Sequence, residues 1–406
     1  MTREELKQRV HEAIERHAEA IVAVGEAIRR HPELGFKEHR TAARVEAELR
    51  RLGLAPRTGL ALTGLRADVV GVAGLVGAAI GLVTAKAMES LAGRVVFFAV
   101  PAEEGGDLEW RLDEVRAGRL EFLGGKCELL RLGHFSDVDL AMMIHTTPRP
   151  EDGPVCVPHS NNGRVGKTAR FVGRAAHAGA APHAGVNALA AAQIALAAIN
   201  AVRETFRDDD TIRVHPILTH GGSQVNVIPG EARLETYVRG RTLEGIRDAN
   251  AKVDRALRAG ALALGATVEI ETLPGYLPLR TDPTLARVFR ENADSLFGPG
   301  ACRETGHRAG STDMGDLSQV IPVLHPYMGG ARGSGHGADY EIVDPHLAYV
   351  MPARAMAAMV VDLLWEGARG AREVVLNARP PMTRESYVAF QRSIRRREIY
   401  PGDGVV

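Results

Sequence analysis

Apolar residues Leu6, Val10, Ile14, Ile21, Val24 and Ile28 keep a helical period, so the chain is expected to open with an amphipathic helix. A second helix is predicted from near Thr41, with Val45, Leu49 and Leu52 on one face and Gly53 as a natural stop. Arg94 to Val100 is a short run rich in Val and Phe and reads as a buried strand, as does Val138 to Ile144. Helices alternating with strands predict an α/β sheet.

The middle of the chain reads differently. Strands are expected at Lys167 to Gly173, Thr211 to Thr219, Glu231 to Val238 and Ala266 to Thr272, with long helices at Gly185 to Phe206 and Thr242 to Gly265. The order β-α-β-β-α-β is the ferredoxin-like arrangement, which folds as a unit. The α/β pattern then resumes with a helix near Thr284 to Phe297, a strand near Val320 to Leu324 and a long helix within Pro345 to Gly367. The fold class is therefore α/β. A discontinuous catalytic domain is built from residues 1–164 and 281–406, with an inserted ferredoxin-like domain at 165–280.

Composition narrows the partners. Fifty basic and fifty acidic residues cancel, which gives no reason to expect nucleic acid or an acidic membrane. The basic cluster from Arg392 to Arg397 reads as a solvated helix face. Cys127, Cys156 and Cys302 are too few for a disulfide framework and fit a reducing cytoplasm. The charged opening Met-Thr-Arg-Glu-Glu-Leu-Lys has no apolar core of a signal peptide. Val69 to Ala85 carries no charge and holds Gly77 and Gly81 at GxxxG spacing. A Gly/Ala run this short is expected inside a core, not across a membrane.

The sharpest chemical feature is Pro101-Ala102-Glu103-Glu104-Gly105, directly after an expected strand. Adjacent carboxylates at the carboxyl edge of an α/β sheet sit where such folds bind ligands. Their side chains diverge, so one suits a metal and the other a proton. Alone, the pair reads more simply as a solvated acidic turn. His145 ends the next strand, and His336 lies in a glycine-rich loop. Each suits a metal ligand, although a capped core histidine and a mobile loop explain them equally well. His177, Asn226 and Arg239 fall on the inserted domain and together suit an oxyanion and a carboxylate.

Motif order adds more. The stretches His31-Pro32-Glu33-Leu34-Gly35, Pro101 to Glu104, Met143-Ile144-His145, Gly173 to Gly179, Asn226 to Pro229 and Gly310-Ser311-Thr312-Asp313 resemble one metallopeptidase family over nearly the whole chain. That family contains glutamate carboxypeptidases, aminoacylases and amidohydrolases acting on aminobenzoyl-glutamate and indole-acetyl-amino acids. Gly-Ser-Thr-Asp-Met-Gly-Asp is most similar to the aminobenzoyl-glutamate branch. The resemblance implies metal-dependent hydrolysis of the amide bond of N-acyl amino acids, and a homodimer formed through the inserted lid. It implies two divalent metals, Zn or Mn. Glu103 then matches the general base, and Glu104, His145 and His336 match metal ligands. His177 matches a histidine that reaches the oxyanion across the dimer, and Asn226 and Arg239 match oxyanion or substrate-carboxylate binders.

The pattern breaks at one place. The family carries a Cys-Gly-His ligand motif after its second strand, and this sequence has none. Thr63 to Asp68 runs almost directly into Ala73 to Ala78, where the family has a core strand, a loop and the ligand motif. Either the natural chain carries a further segment here, or the protein is a degenerate relative. In the second case it would bind ligands or serve as a dimeric scaffold, and reduced metal occupancy follows.

Overall fold

The opening amphipathic period produces two helices, Arg3–Arg16 and Ala18–Arg29. The break falls at His17, whose ring Nδ1 lies 2.8 Å from the carbonyl of Ala13. Thr2 starts the first helix with a capping box: its hydroxyl accepts the Glu5 N–H, and the Glu5 carboxylate accepts the Thr2 N–H. The helix His39–Arg51 buries Val45 and Leu49 as the pattern predicts.

The computed structural model describes residues 1–69 and 76–403, which fall into two compact units. The first comprises Met1–Ser160, Arg280–Gly306 and Asp316–Arg384, and the second Asn161–Leu279, His307–Gly315 and Glu385–Val406.

In the first unit, Val76–Thr84 is a buried core helix. A Cβ on Gly77 would meet Ala353 and Ile21, and one on Gly81 would meet Ile14, so both glycines permit close helix packing. The expected missing-motif junction between Asp68 and Ala73 lies outside the described residues. The helix His346–Asn377 is long and apolar enough to cross a membrane, but 78% of its apolar window is buried within the protein. Its backbone leaves helical values at Trp365 to Ala368.

The parallel strand pairs of this unit are short. Arg57–Leu60, Gly64–Val69 and Val95–Ala99 form an antiparallel trio. Of the strand expected at Val138 to Ile144, only Ala141–Met142 pairs, parallel to Val323–Leu324. A separate pair, His145–Thr146, lies parallel to Tyr327–Met328. Pro322 and Pro326 flank Val323–Leu324 and have no N–H for a ladder. Their carbonyls still accept from Ala141 and His145.

The second unit carries one antiparallel sheet. Its order is Arg396–Pro401, Thr267–Leu273, Gly163–Val172, Glu231–Gly240, and then Arg213–Val214 with Ile217–His220 on the far side. Helices Ala188–Ala201 and Leu243–Leu264 begin at side-chain caps from Asn187 and Thr242. They bury Ala192, Ile199, Val253 and Leu257 with Phe171, Leu234 and Val268 of one sheet face. Without the strand Arg396–Pro401, the order is ferredoxin-like. That strand is a correction: the basic cluster from Arg392 to Arg397 begins in the last turn of the helix Arg384–Ile394 and then becomes an edge strand. Its charges are matched across the sheet, with Arg396 bonded to the buried Asp254 at 2.6 Å and Arg397 to Glu269. The strand expected at Thr211 to Thr219 is likewise split, at His215 and Pro216.

Candidate active site

The strand Val95–Ala99 delivers the chain into Pro101, Ala102, Glu103 and Glu104. Ala102 adopts φ +49°, a left-handed value that is costly for a residue with a Cβ. Three neighbours hold it. Glu38 accepts the Ala102 N–H at 2.6 Å with one carboxylate oxygen and the Thr63 hydroxyl at 2.5 Å with the other. The Ala102 carbonyl accepts from Gly125. Arg111, 2% exposed, donates to the carbonyls of Glu104 at 2.8 Å and Leu123 at 2.6 Å, and lies over the Phe36 ring. Gly35 is required here, because a Cβ would run into Arg111 and Ala102. The turn that presents the two carboxylates is thus fixed through its backbone, leaving Glu103 half-buried and Glu104 exposed.

Glu33, in the His-Pro-Glu-Leu-Gly motif, has a structural role. Its carboxylate accepts the N–H groups of Arg40 and Thr41 and the Thr41 hydroxyl. Burial opposes its ionisation, yet these bonds hold its carboxyl below the usual range.

His336 sits at φ +61° on the loop between Ala331–Arg332 and Glu341–Ile342. Its Nε2 lies 3.9 Å from a Glu104 carboxylate oxygen, and both side chains are exposed. Tyr340, on the same loop, shares a 2.6 Å hydrogen bond with Thr146, the neighbour of His145. His145 Nδ1 lies 2.6 Å from the Thr146 carbonyl and so donates to it, which leaves the Nε2 lone pair for a ligand. Its ring neighbours are His325 and Tyr327.

Glu104 and His336 are therefore brought together. Among the described residues, no three His, Cys, Asp or Glu side chains form a group that would hold a metal ion. Residues 70–75 are Val-Gly-Val-Ala-Gly-Leu and add no donor side chain. A catalytic zinc site ordinarily takes three protein ligands and a water. This donor set does not fit the two-metal centre implied by the family resemblance.

On the second unit, His177 and Asn226 lie side by side. His177 bridges Val227, and Ala178 donates to the Asn226 carbonyl. His177 Nδ1 accepts the N–H groups of Gly179 and Ala180, so the ring proton sits on Nε2 and points outward as a donor. Arg239 occupies the opposite end of the strand Glu231–Gly240. Eight residues of strand separate it from the Asn226 end, roughly 25 Å.

Sequence reasoning missed Glu38, Arg111 and His325. His325 follows an apolar strand just as His145 does, so a signal was available. Glu38 and Arg111 act on backbone groups, which leaves no motif.

Residues 159–263 match the family model described as a peptidase dimerisation domain. The chain is 29% identical to the Xaa-Arg dipeptidase of Mus musculus, over 89% of this chain and 90% of that protein. It is also 29% identical to the indole-3-acetyl-aspartic acid hydrolase of Enterobacter agglomerans, over 43% and 40% of the two chains. In fold it is similar to an aminobenzoyl-glutamate utilization protein of Klebsiella pneumoniae, with TM-score 0.68 and 18% identity over 88% of this chain and 99% of that one. It is similar too to a Bacillus subtilis dinuclear metal-binding peptidase of the M20 family, with TM-score 0.61 and 17% identity over 86% and 99%. The family read from the motifs is the one these comparisons return, and the chain is a homologue of the M20 hydrolases and peptidases.

Proposed function

We propose that the chain hydrolyses the amide bond of N-acyl amino acids in the cytoplasm, as a homodimer. The observation that supports this most is the Glu103-Glu104 pair, presented at a strand end on a backbone fixed by Glu38 and Arg111, with Glu104 facing His336. Glu103 is the half-buried member and serves as the base that takes a proton from water. A divalent cation, Zn or Mn, is the cofactor of this reading. Glu104 and His336 are its close donors, His145 matches the ligand of a second metal, and occupancy stays below two per chain.

His177 offers an Nε2–H donor to the oxyanion, with Asn226 beside it, and Arg239 takes the substrate carboxylate. His177 lies across from Val227, before the start of the strand Glu231–Gly240, and Arg239 is near the strand's far end, roughly 25 Å on. This separation favours a homodimer in which His177 serves the partner's site. A second reading, a binding protein that has lost turnover, is favoured by the two-donor metal seat.

The test is hydrolysis of a panel of N-benzoyl amino acids by the full chain and by Glu103→Ala. The variant is expected to keep its metal content and lose kcat by about two orders of magnitude. Equal metal loss in Glu103→Ala and Glu104→Ala would reverse the assigned roles. Binding without turnover in the wild type would select the second reading.

A further inference from the structure

The helix Gly125–Arg131 starts against the carboxylate turn. The Gly125 N–H donates to the Ala102 carbonyl, and a Cβ on Gly125 would collide with the Pro101 carbonyl. Glycine permits so close an approach of two backbones. The next residue is Lys126, whose side chain is buried at 4% exposure. Its Nζ lies 3.6 Å from Sδ of Met143, two residues before His145. Lys126 is thus rooted beside the turn that carries Glu103 and Glu104, and its ammonium reaches the segment that ends in His145.

An apolar side chain would fill this space against Met143 equally well, since a thioether is a weak acceptor and carries no charge. A buried ammonium calls instead for negative charge around it. Three carboxylates belong to the turn: Glu103 and Glu104 on it, and Glu38, which accepts the Ala102 N–H. The second buried cation, Arg111, is bonded to the carbonyls of Glu104 and Leu123, the latter three residues before Lys126. Two buried cations therefore attend three carboxylates. Most of the negative charge that a divalent metal would neutralise is already offset by the chain itself. The same turn lacks the donors of the two-metal centre that the family resemblance implies.

We propose that Lys126 is the resident cation of this site, a positioning residue whose fixed charge offsets the carboxylates and opposes a divalent metal at Glu104 and His336. The seat is then weak for two separate reasons: it has few donors, and positive charge already stands beside it. Repulsion from a buried charge is screened less than repulsion at the surface. The proposal rests on Glu104 and His336 as the metal seat of the amidohydrolase reading. It does not require turnover.

The experiment is calorimetric titration of zinc and of manganese into the full chain, dialysed against a mild chelator, for wild type, Lys126→Met and Lys126→Arg. Lys126→Met is expected to tighten Kd about tenfold, and Lys126→Arg, which keeps the charge, to match wild type. A role in packing alone predicts no tightening. Adding Glu104→Ala to Lys126→Met should abolish the gain. Unchanged or weaker binding in Lys126→Met, equal tightening in Lys126→Arg, or a gain that survives Glu104→Ala would each overturn the proposal. If either variant lacks a cooperative unfolding transition, Lys126→Gln makes the same measurement against wild type. Turnover of N-benzoyl amino acids separates the two readings. Tighter metal binding in Lys126→Met without hydrolysis by the wild type keeps the resident cation and removes the hydrolase. Hydrolysis by the wild type, with metal binding indifferent to Lys126→Met, keeps the hydrolase and removes the resident cation.

Discussion

The two units differ in how their sheets are held. In the second, ten successive residue pairs join Gly163–Val172 to Glu231–Gly240, and its helices cover a continuous apolar face. In the first, the parallel pairings are two residues long. Six residues, 70–75, link the strand Gly64–Val69 to the helix Val76–Thr84. By the family resemblance, a core strand, a loop and a ligand motif belong there. Loss of such a segment removes ladder partners and metal donors together. The second unit needs neither, because its hydrophobic set is complete within its own sheet and helices.

The second unit is most vulnerable at its buried ion pair. Lys167 and Asp254 are buried at 0% and 2% side-chain exposure and bonded at 2.6 Å. Thr272 accepts a further Lys167 N–H, and Arg396 completes the carboxylate. Burial pulls the Lys167 pKa down against this pairing. Asp254→Ala leaves a buried ammonium and should cost about 3–5 kcal/mol in denaturant unfolding. A loss below about 1 kcal/mol would mean water reaches the lysine, and that this unit is less tightly built than the ladders imply.

Acid should find the first unit through His11. Burial, and then Arg354, lower its pKa to about 4. The sign follows from proton binding: between pH 6.5 and about 4 the unfolded histidine is protonated and the folded one is not, so stability falls as pH falls through that window. The loss is on the order of 3 kcal/mol at most. His11→Gln should flatten this limb in a series of unfolding curves. An unchanged limb would place the acid sensitivity elsewhere.

A smaller effect is expected at the carboxylate turn. Glu38→Ala removes the acceptor for Ala102 and Thr63 and should lower stability by about 2 kcal/mol. Glu38→Gln keeps one acceptor oxygen and should recover part of this. If both variants match wild type in unfolding and in turnover, the turn is held without Glu38.

How far these features were legible depends on their physics. The long helices and most of the ten-residue ladder follow from periodicity, since each buries a face along its own length, but the ladder begins at Gly163, four residues before the expected start at Lys167. Residues 138–144 read as a strand because they are apolar, but prolines in the partner segment cut the pairing to Ala141–Met142. The strand Arg396–Pro401 was hidden because three successive arginines suggest a solvated face. Its partners, Asp254, Glu269 and Glu271, are distant in sequence. Glu104 and His336 were found through motifs, and they do lie together. Glu38 and Arg111 escaped because a side chain that holds a backbone group follows no spacing rule.

The smallest effect is the most discriminating for the first unit. A ligand that binds only the folded state stabilises it by RT ln(1 + [L]/Kd), about 0.4 kcal/mol when its concentration equals Kd. A seat with Glu104 and His336 as its close donors should hold zinc or manganese weakly. The full chain, dialysed against a mild chelator, should then retain less than one metal per chain. Adding either metal near its Kd should shift unfolding by well under about 1 kcal/mol. Glu104→Ala should abolish even that shift and leave the unfolding of the metal-free protein unchanged, since its side chain is exposed and its carbonyl, not its carboxylate, is held by Arg111. Two tightly held metals per chain would contradict the two-donor seat. They would require donors from residues that no motif marks, and the first unit would then have rebuilt its centre without the missing segment.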